Sequence, residues 1–194
     1  MSLPPGAVTP PVALPLAADA QRWASGDAAP PAGQALPAWI GLGANLGDRG
    51  EALRQALQRL HACAGVAVQA VSSLYASRPV DSTGPDYLNA VAELRTSLSA
   101  QQLLHVLQQL ELAAGRERPY RNAPRTLDLD VLLYANMDTL IAMPDLQVPH
   151  PRMWQRAFVL APLQELAPTW VSDAQLAPLL VQGVQRSQEP SWWR

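Results

Sequence analysis

A two-layer α/β (α+β) sandwich with an antiparallel sheet, its elements in the order βαββαβ, is the fold class that this sequence predicts. Three observations predict it. Short apolar stretches alternate with the period of two that a strand imposes. Two intervening stretches repeat their apolar residues at helical spacing, each opened by residues with capping-box spacing. The order of these pieces is that of the split βαβ motif, the pattern of ferredoxin-like sandwiches. Both helices are expected on one face of the sheet, which leaves the other face free for a site, and extra elements follow at the C-terminal end.

Taken in order, residues 1–37 are dominated by Pro, Ala, Gly and small polar residues without a sustained period. They read as a disordered tail, because such a segment buries too little surface to offset its ordering entropy. The tail lacks a basic start and an unbroken apolar run, so it does not read as a secretory signal, and the lone Arg22 is too little for a transit peptide. The ordered domain is expected over 38–170. It opens on the apolar strand Ala38-Trp39-Ile40-Gly41-Leu42 and runs through Gly43-Ala44-Asn45-Leu46-Gly47-Asp48 into a helix with Ala52, Leu53, Ala56, Leu57 and Leu60 on one face. The glycine turn is not a dinucleotide fingerprint, since Leu46 stands where the third glycine belongs. Val66–Tyr75 reads as a second strand and 76–85, broken by Pro79, Gly84 and Pro85, as a loop. The third strand, Tyr87–Leu94, puts Tyr87 and Asn89 on the face opposite its apolar even positions. An aromatic ring beside an amide suits a flat heterocycle, and equally suits a sheet margin. Ser99 and Gln102 open the second helix, with Leu103, Val106, Leu107 and Leu110 facing inward. A short helix is expected over Ala161–Leu166, and 171–194 is expected to be a weakly structured tail.

The most informative stretch is 115–134. Its first part, through Pro124, is polar, broken by proline and carries Arg116, Arg118 and Arg121, which reads as a mobile loop. From Leu127 it becomes a strand, with Asp128 and Asp130 on one face and Leu127, Leu129, Val131 and Leu133 on the other. Neighbouring carboxylates raise each other's pKa unless a cation lies between them. Mg²⁺ takes one or two carboxylates together with substrate phosphates, and arginine binds phosphate oxygens in pairs. The stretch is therefore either a metal-and-phosphate site or a set of ion pairs on a solvated sheet edge.

Composition excludes several classes. A net charge of −2 argues against a general nucleic-acid binder, and no apolar run approaches a membrane span. The single Cys63 excludes an intramolecular disulfide and fits a reducing, cytoplasmic setting. All 14 basic residues are arginine. A P-loop and a protein kinase each need a lysine on the phosphates, so both are ruled out.

With these pieces in place the chain resembles the 6-hydroxymethyl-7,8-dihydropterin pyrophosphokinases of folate synthesis, over about Trp39 to Pro168. The resemblance rests on four ordered motifs: Gly41 to Gly47; Asp86-Tyr87-Leu88-Asn89; Pro124-Arg125-Thr126-Leu127-Asp128-Leu129-Asp130; and Val148-Pro149-His150-Pro151 through Arg156 and Phe158. It implies a magnesium-dependent transfer of the ATP diphosphate to the pterin hydroxymethyl group, with release of AMP. By resemblance Asp128 and Asp130 hold two Mg²⁺ ions, and Arg116 and Arg125 act on the phosphates, with Arg118 and Arg156 beside them. Gln108, Glu111, the backbone of Val131 and His150 match the nucleotide pocket. Tyr87 and Phe158 match the rings that sandwich the pterin, Asn89 the amide that reads its edge, and backbone groups at Ser77 and Val80 complete that pocket. The arginine loop is one residue shorter than in well-studied relatives, and Pro151 stands where some have tyrosine. A monomeric, monofunctional enzyme is expected, with ATP and the pterin as its partners and no nucleic acid or membrane. The alternatives are a simple kinase giving ADP and a nucleotide sensor without catalysis.

Overall fold

The computed structural model describes residues 26–79, 84–115 and 124–194. Its main sheet is built from β1 (Leu36–Ala44), β2 (Val66–Val71), β3 (Leu74–Ser77), β4 (Tyr87–Thr96) and β5 (Asp128–Tyr134), with α1 (Arg49–Ala62) and α2 (Ala100–Ala113) between them. The strands run β5-β1-β4-β3, with β2 also on β4, and the β1 pairings with β4 and β5 are antiparallel. This is the expected sandwich. β1 begins at Leu36, two residues before the expected Ala38, and Leu36 is buried. Residues 1–25, the larger part of the expected tail, lie outside the described residues.

Local chemistry sets the helix starts. The Asp48 side chain accepts the Glu51 N–H, while Glu51 itself turns to Arg54. Ser99 and Gln102 close the full reciprocal box. α1 and α2 bury Leu53, Leu57, Leu60, Leu103 and Leu107 against Ile40, Leu42, Leu94, Leu129 and Val131 of the sheet.

The second expected strand is two strands. Ser72 and Ser73 interrupt it: the Ser72 hydroxyl accepts the Val91 N–H at 3.0 Å, and the Ser73 N–H and hydroxyl both donate to Glu165. β2 therefore pairs with the far half of β4 and β3 with its near half.

The second face of the sheet is not bare. α3 (Ala157–Leu166) covers part of it, beginning four residues before the expected Ala161. It packs Val159, Leu160 and Leu163 on Trp39, Val91, Leu132, Leu133 and Met153. Strict alternation fails in β5 because the register with β1 shifts between Trp39 and Ile40. Leu133 consequently joins the second core instead of lying with Leu127, Leu129 and Val131. A small hairpin, β6 (Ile141–Ala142) and β7 (Gln147–Val148), precedes His150, whose N–H donates to the Leu132 carbonyl at 2.9 Å.

The C-terminal segment is also ordered, contrary to expectation. It forms α4 (Asp173–Leu176), a 3₁₀ turn (Ala177–Gln182) and β8 (Gln185–Gln188), which pairs with β3. The Trp192 indole N–H donates to the Ser72 carbonyl at 2.8 Å. Every residue of β8 is exposed, so no hydrophobic pattern marks it; its partners hold it in place.

Glu165, near the end of α3, joins these parts. Its carboxylate accepts from Ser73 and, at 3.0 Å, from the Tyr75 hydroxyl, and it meets Arg186 at 3.5 Å. Burial and then this carboxylate push Tyr75 up to about 12. Glu165→Ala leaves the Ser73 and Tyr75 donors without that acceptor and is expected to cost about 2–4 kcal/mol. Urea denaturation checks this; an unchanged midpoint contradicts it.

Candidate active site

The uncovered end of the second face is open because β1 supplies no side chains there. Gly41 and Gly43 alternate onto that face, opposite Asp130 and Asp128 of β5 respectively. A Cβ at Gly43 would sit 3.3 Å from Asn89 Oδ1, and one at Gly41 3.4 Å from the Leu132 side chain. The glycines thus form the floor of a cavity of about 210 Å³.

At one end of this cavity stand the two carboxylates, side by side as strand alternation demands. Arg125 Nη1 bonds Asp128. His150 Nε2 lies 3.8 Å and Arg156 Nη1 4.0 Å from Asp130 Oδ2. Burial, then the neighbouring Asp128, pushes the Asp130 carboxyl above the usual range. Burial likewise lowers His150, despite the pull of Asp130, and lowers Arg156, which Arg152 also repels. Burial works against the charge of Arg125, but Asp128 outweighs it and raises the guanidinium.

Arg125 is held by its backbone as well. Its N–H donates to Asn45 Oδ1 at 2.7 Å, and its carbonyl accepts the N–H groups of Asn45 and Leu46. The Asn45 amide also donates to the Pro85 carbonyl at 3.3 Å. The glycine-rich turn is therefore a clasp between two loops, a role that spacing alone did not disclose.

Tyr87 and Asn89 of β4, Ser77 of β3 and Phe158 of α3 line the rest of the cavity. Asn89 is 4% exposed, and its Nδ2 donates to Ser77 Oγ at 2.9 Å and to the Tyr75 carbonyl at 3.3 Å. These bonds fix the amide's orientation. The Arg156 guanidinium lies 5.4 Å from the Phe158 ring centroid, within cation–π range. Arg78, Arg152 and Gln155 also line the cavity, and sequence reasoning gave them no role. For Arg152 the signal was its place two residues after His150.

The other expected residues are distributed differently. Val80, Arg116 and Arg118 lie outside the described residues. Gln108 is exposed on α2. Glu111 is buried there, and its Oε1 accepts the Leu129 N–H at 2.7 Å, on the edge strand β5. Val131 is buried in the main core. Gln108, Glu111, Val131 and His150 are not among the residues lining the glycine-floored cavity. Among the described residues, no three His, Cys, Asp or Glu side chains form a metal cluster. No helix among them is long and apolar enough to cross a membrane.

Residues 39–168 match the family model described as 7,8-dihydro-6-hydroxymethylpterin-pyrophosphokinase. The 2-amino-4-hydroxy-6-hydroxymethyldihydropteridine pyrophosphokinase of Bacillus subtilis is 44% identical over 149 residues, covering 76% of this chain and 88% of its own length. The Pseudomonas aeruginosa protein of the same name is 44% identical over 131 residues, covering 67% of this chain and 80% of its own. Among solved structures, Plasmodium falciparum HPPK-DHPS with SDX-DHP superposes with a TM-score of 0.54 at 13% identity, covering 75% of this chain and 44% of that one. An HPPK-DHPS in complex with substrates gives 0.57 at 11% identity, covering 79% and 47%. The chain spans less than half of those two longer proteins, and at such identities the likeness shows the fold alone. Sequence match and fold converge: the chain belongs to the 7,8-dihydro-6-hydroxymethylpterin-pyrophosphokinase family.

Proposed function

We infer that this chain transfers the diphosphate of ATP to the hydroxymethyl group of 6-hydroxymethyl-7,8-dihydropterin, in the synthesis of folate. The observation that carries the reading is one cavity with two chemistries: Asp128 and Asp130 among Arg125, Arg152 and Arg156, beside Tyr87, Asn89 and Phe158. The pterin hydroxymethyl oxygen attacks the β-phosphorus. The bond from that phosphorus to the α,β-bridging oxygen breaks, AMP departs, and the hydroxyl proton goes to solvent.

The donor set fits magnesium. Two neighbouring carboxylates, of which Asp128 pushes Asp130 up, suit a cation completed by phosphate oxygens. We propose that Asp128 and Asp130 hold two Mg²⁺ ions, which when bound offset charge on the triphosphate. Arg125 and Arg156 orient the phosphates, a role we extend to Arg116 and Arg118 on family resemblance. Gln108, Glu111, the Val131 backbone and His150 take the nucleotide along β5. Tyr87 and Phe158 hold the pterin ring while Asn89, with backbone groups at Ser77 and Val80, reads its edge. No general base is required, because positioning and charge neutralisation supply most of the catalysis in this class of transfer. We propose that the enzyme acts as a monomer, and its free thiol Cys63 suits a reducing cytoplasm.

Loss of one ring should act on the pterin alone. Phe158→Ala is expected to raise KM for the pterin about tenfold or more, the scale of one base–aromatic stack, with KM for ATP changed far less. Steady-state kinetics with each substrate varied in turn checks the split. The reaction itself is tested by separating nucleotides after incubation with Mg²⁺. AMP formed only when the pterin is present supports it; ADP, or no pterin dependence, overturns it.

A further inference from the structure

Arg156 occupies the N-cap of α3, and Phe158 lies in its first turn. The first N–H groups of a helix need acceptors, which Ser, Thr, Asp or Asn at the N-cap normally supplies. Arginine carries donors only, and Arg156 makes no side-chain cap. Another residue takes over that work. Gln182 Oε1 accepts the Ala157 N–H at 2.9 Å, and Gln182 Nε2 donates to the Gln155 carbonyl at 2.9 Å. The two bonds bracket Arg156. Its guanidinium is thereby left to reach toward Asp130 and over the Phe158 ring. Among charged and polar relatives, an amide suits this place because it accepts and donates at once.

Gln182 lies outside residues 39–168, at the end of the 3₁₀ turn, where Gly183 adopts a left-handed φ of 69° and redirects the chain toward β8. β8 pairs with Leu74–Ala76 of β3, the strand whose last residue, Ser77, lines the cavity. The C-terminal segment thus reaches two walls of the same cavity.

We propose that Gln182 is a positioning residue: it caps α3 from outside and so fixes Arg156 and Phe158 for substrate. The inference rests on the diphosphate-transfer reading. In the full-length chain, Gln182→Ala is expected to lower kcat/KM roughly fivefold, the scale of about one net hydrogen bond. The same change in an Arg156→Ala background should have a smaller further effect, what remains being its hold on Phe158. Gln182→Glu, which keeps the acceptor at the helix N-terminus but loses the donor, should recover part of the loss. An equal factor in both backgrounds, or a lower melting temperature with unchanged kcat/KM, would show a merely structural cap and overturn the proposal. A wild-type chain that makes no AMP fails the underlying reaction, not this inference. Calorimetric titration with Mg·ATP then still reads Gln182: its loss should raise Kd by a similar factor, and an unchanged Kd overturns the role.

Discussion

Asp130→Ala should lower turnover by roughly a thousandfold or more, the scale on which a metal ligand supplies several kcal/mol of charge stabilisation. The fold should survive. Asp130 lies on the cavity face of β5, away from the main core that Leu129 and Val131 share with the helices. Its charge also works against the metal-free fold. A carboxyl whose folded pKa is raised contributes a penalty that is absent below its unfolded value, near 3.8, and grows as pH rises above it. Removing the group therefore leaves the melting temperature in chelator at neutral pH unchanged or higher. Rates of AMP formation at saturating Mg²⁺, with thermal melts alongside, check both parts. Turnover like wild type would sink the metal assignment.

Arg125→Ala is expected to lower kcat/KM by about 10²–10³-fold, comparable to removing one preorganised donor from a developing charge. Arg125 lines the cavity and bonds Asp128, so its loss removes both a proposed phosphate donor and one partner of a proposed metal ligand. The loop should keep its place, because the Asn45 clasp holds the Arg125 backbone and not its side chain. Arg125→Lys should recover little, since an ammonium lacks the planar fork that spans two oxygens. Steady-state constants for the two variants decide the matter; a lysine variant at the wild-type rate contradicts the proposed geometry.

Much of this site was legible because it depends on local rules. Strand period alone placed Asp128 and Asp130 together, and Tyr87 beside Asn89, while cap residues marked the start of each main helix. The failures occur where distant partners decide. Leu133 left its expected face because the register with β1 shifts, a property of two strands. The break at Ser72 and Ser73 depends on Val91 and Glu165, each remote in sequence. β8 has no apolar alternation to read, and exists because β3 offers it an edge. Arg156 and Phe158 reached the site through family resemblance, since nothing local says that α3 starts at Ala157 with its cap supplied by Gln182. Asn45 was visible as part of a glycine motif, but its grip on Arg125 crosses 80 residues of chain.

The central claim is that two phosphorus atoms move together, and ATP labelled at its β-phosphate tests it most directly. After reaction with 6-hydroxymethyl-7,8-dihydropterin and Mg²⁺, the account predicts the β-label on the pterin product and unlabelled AMP. A β-label left in ADP, with only the γ-phosphate transferred, would contradict it.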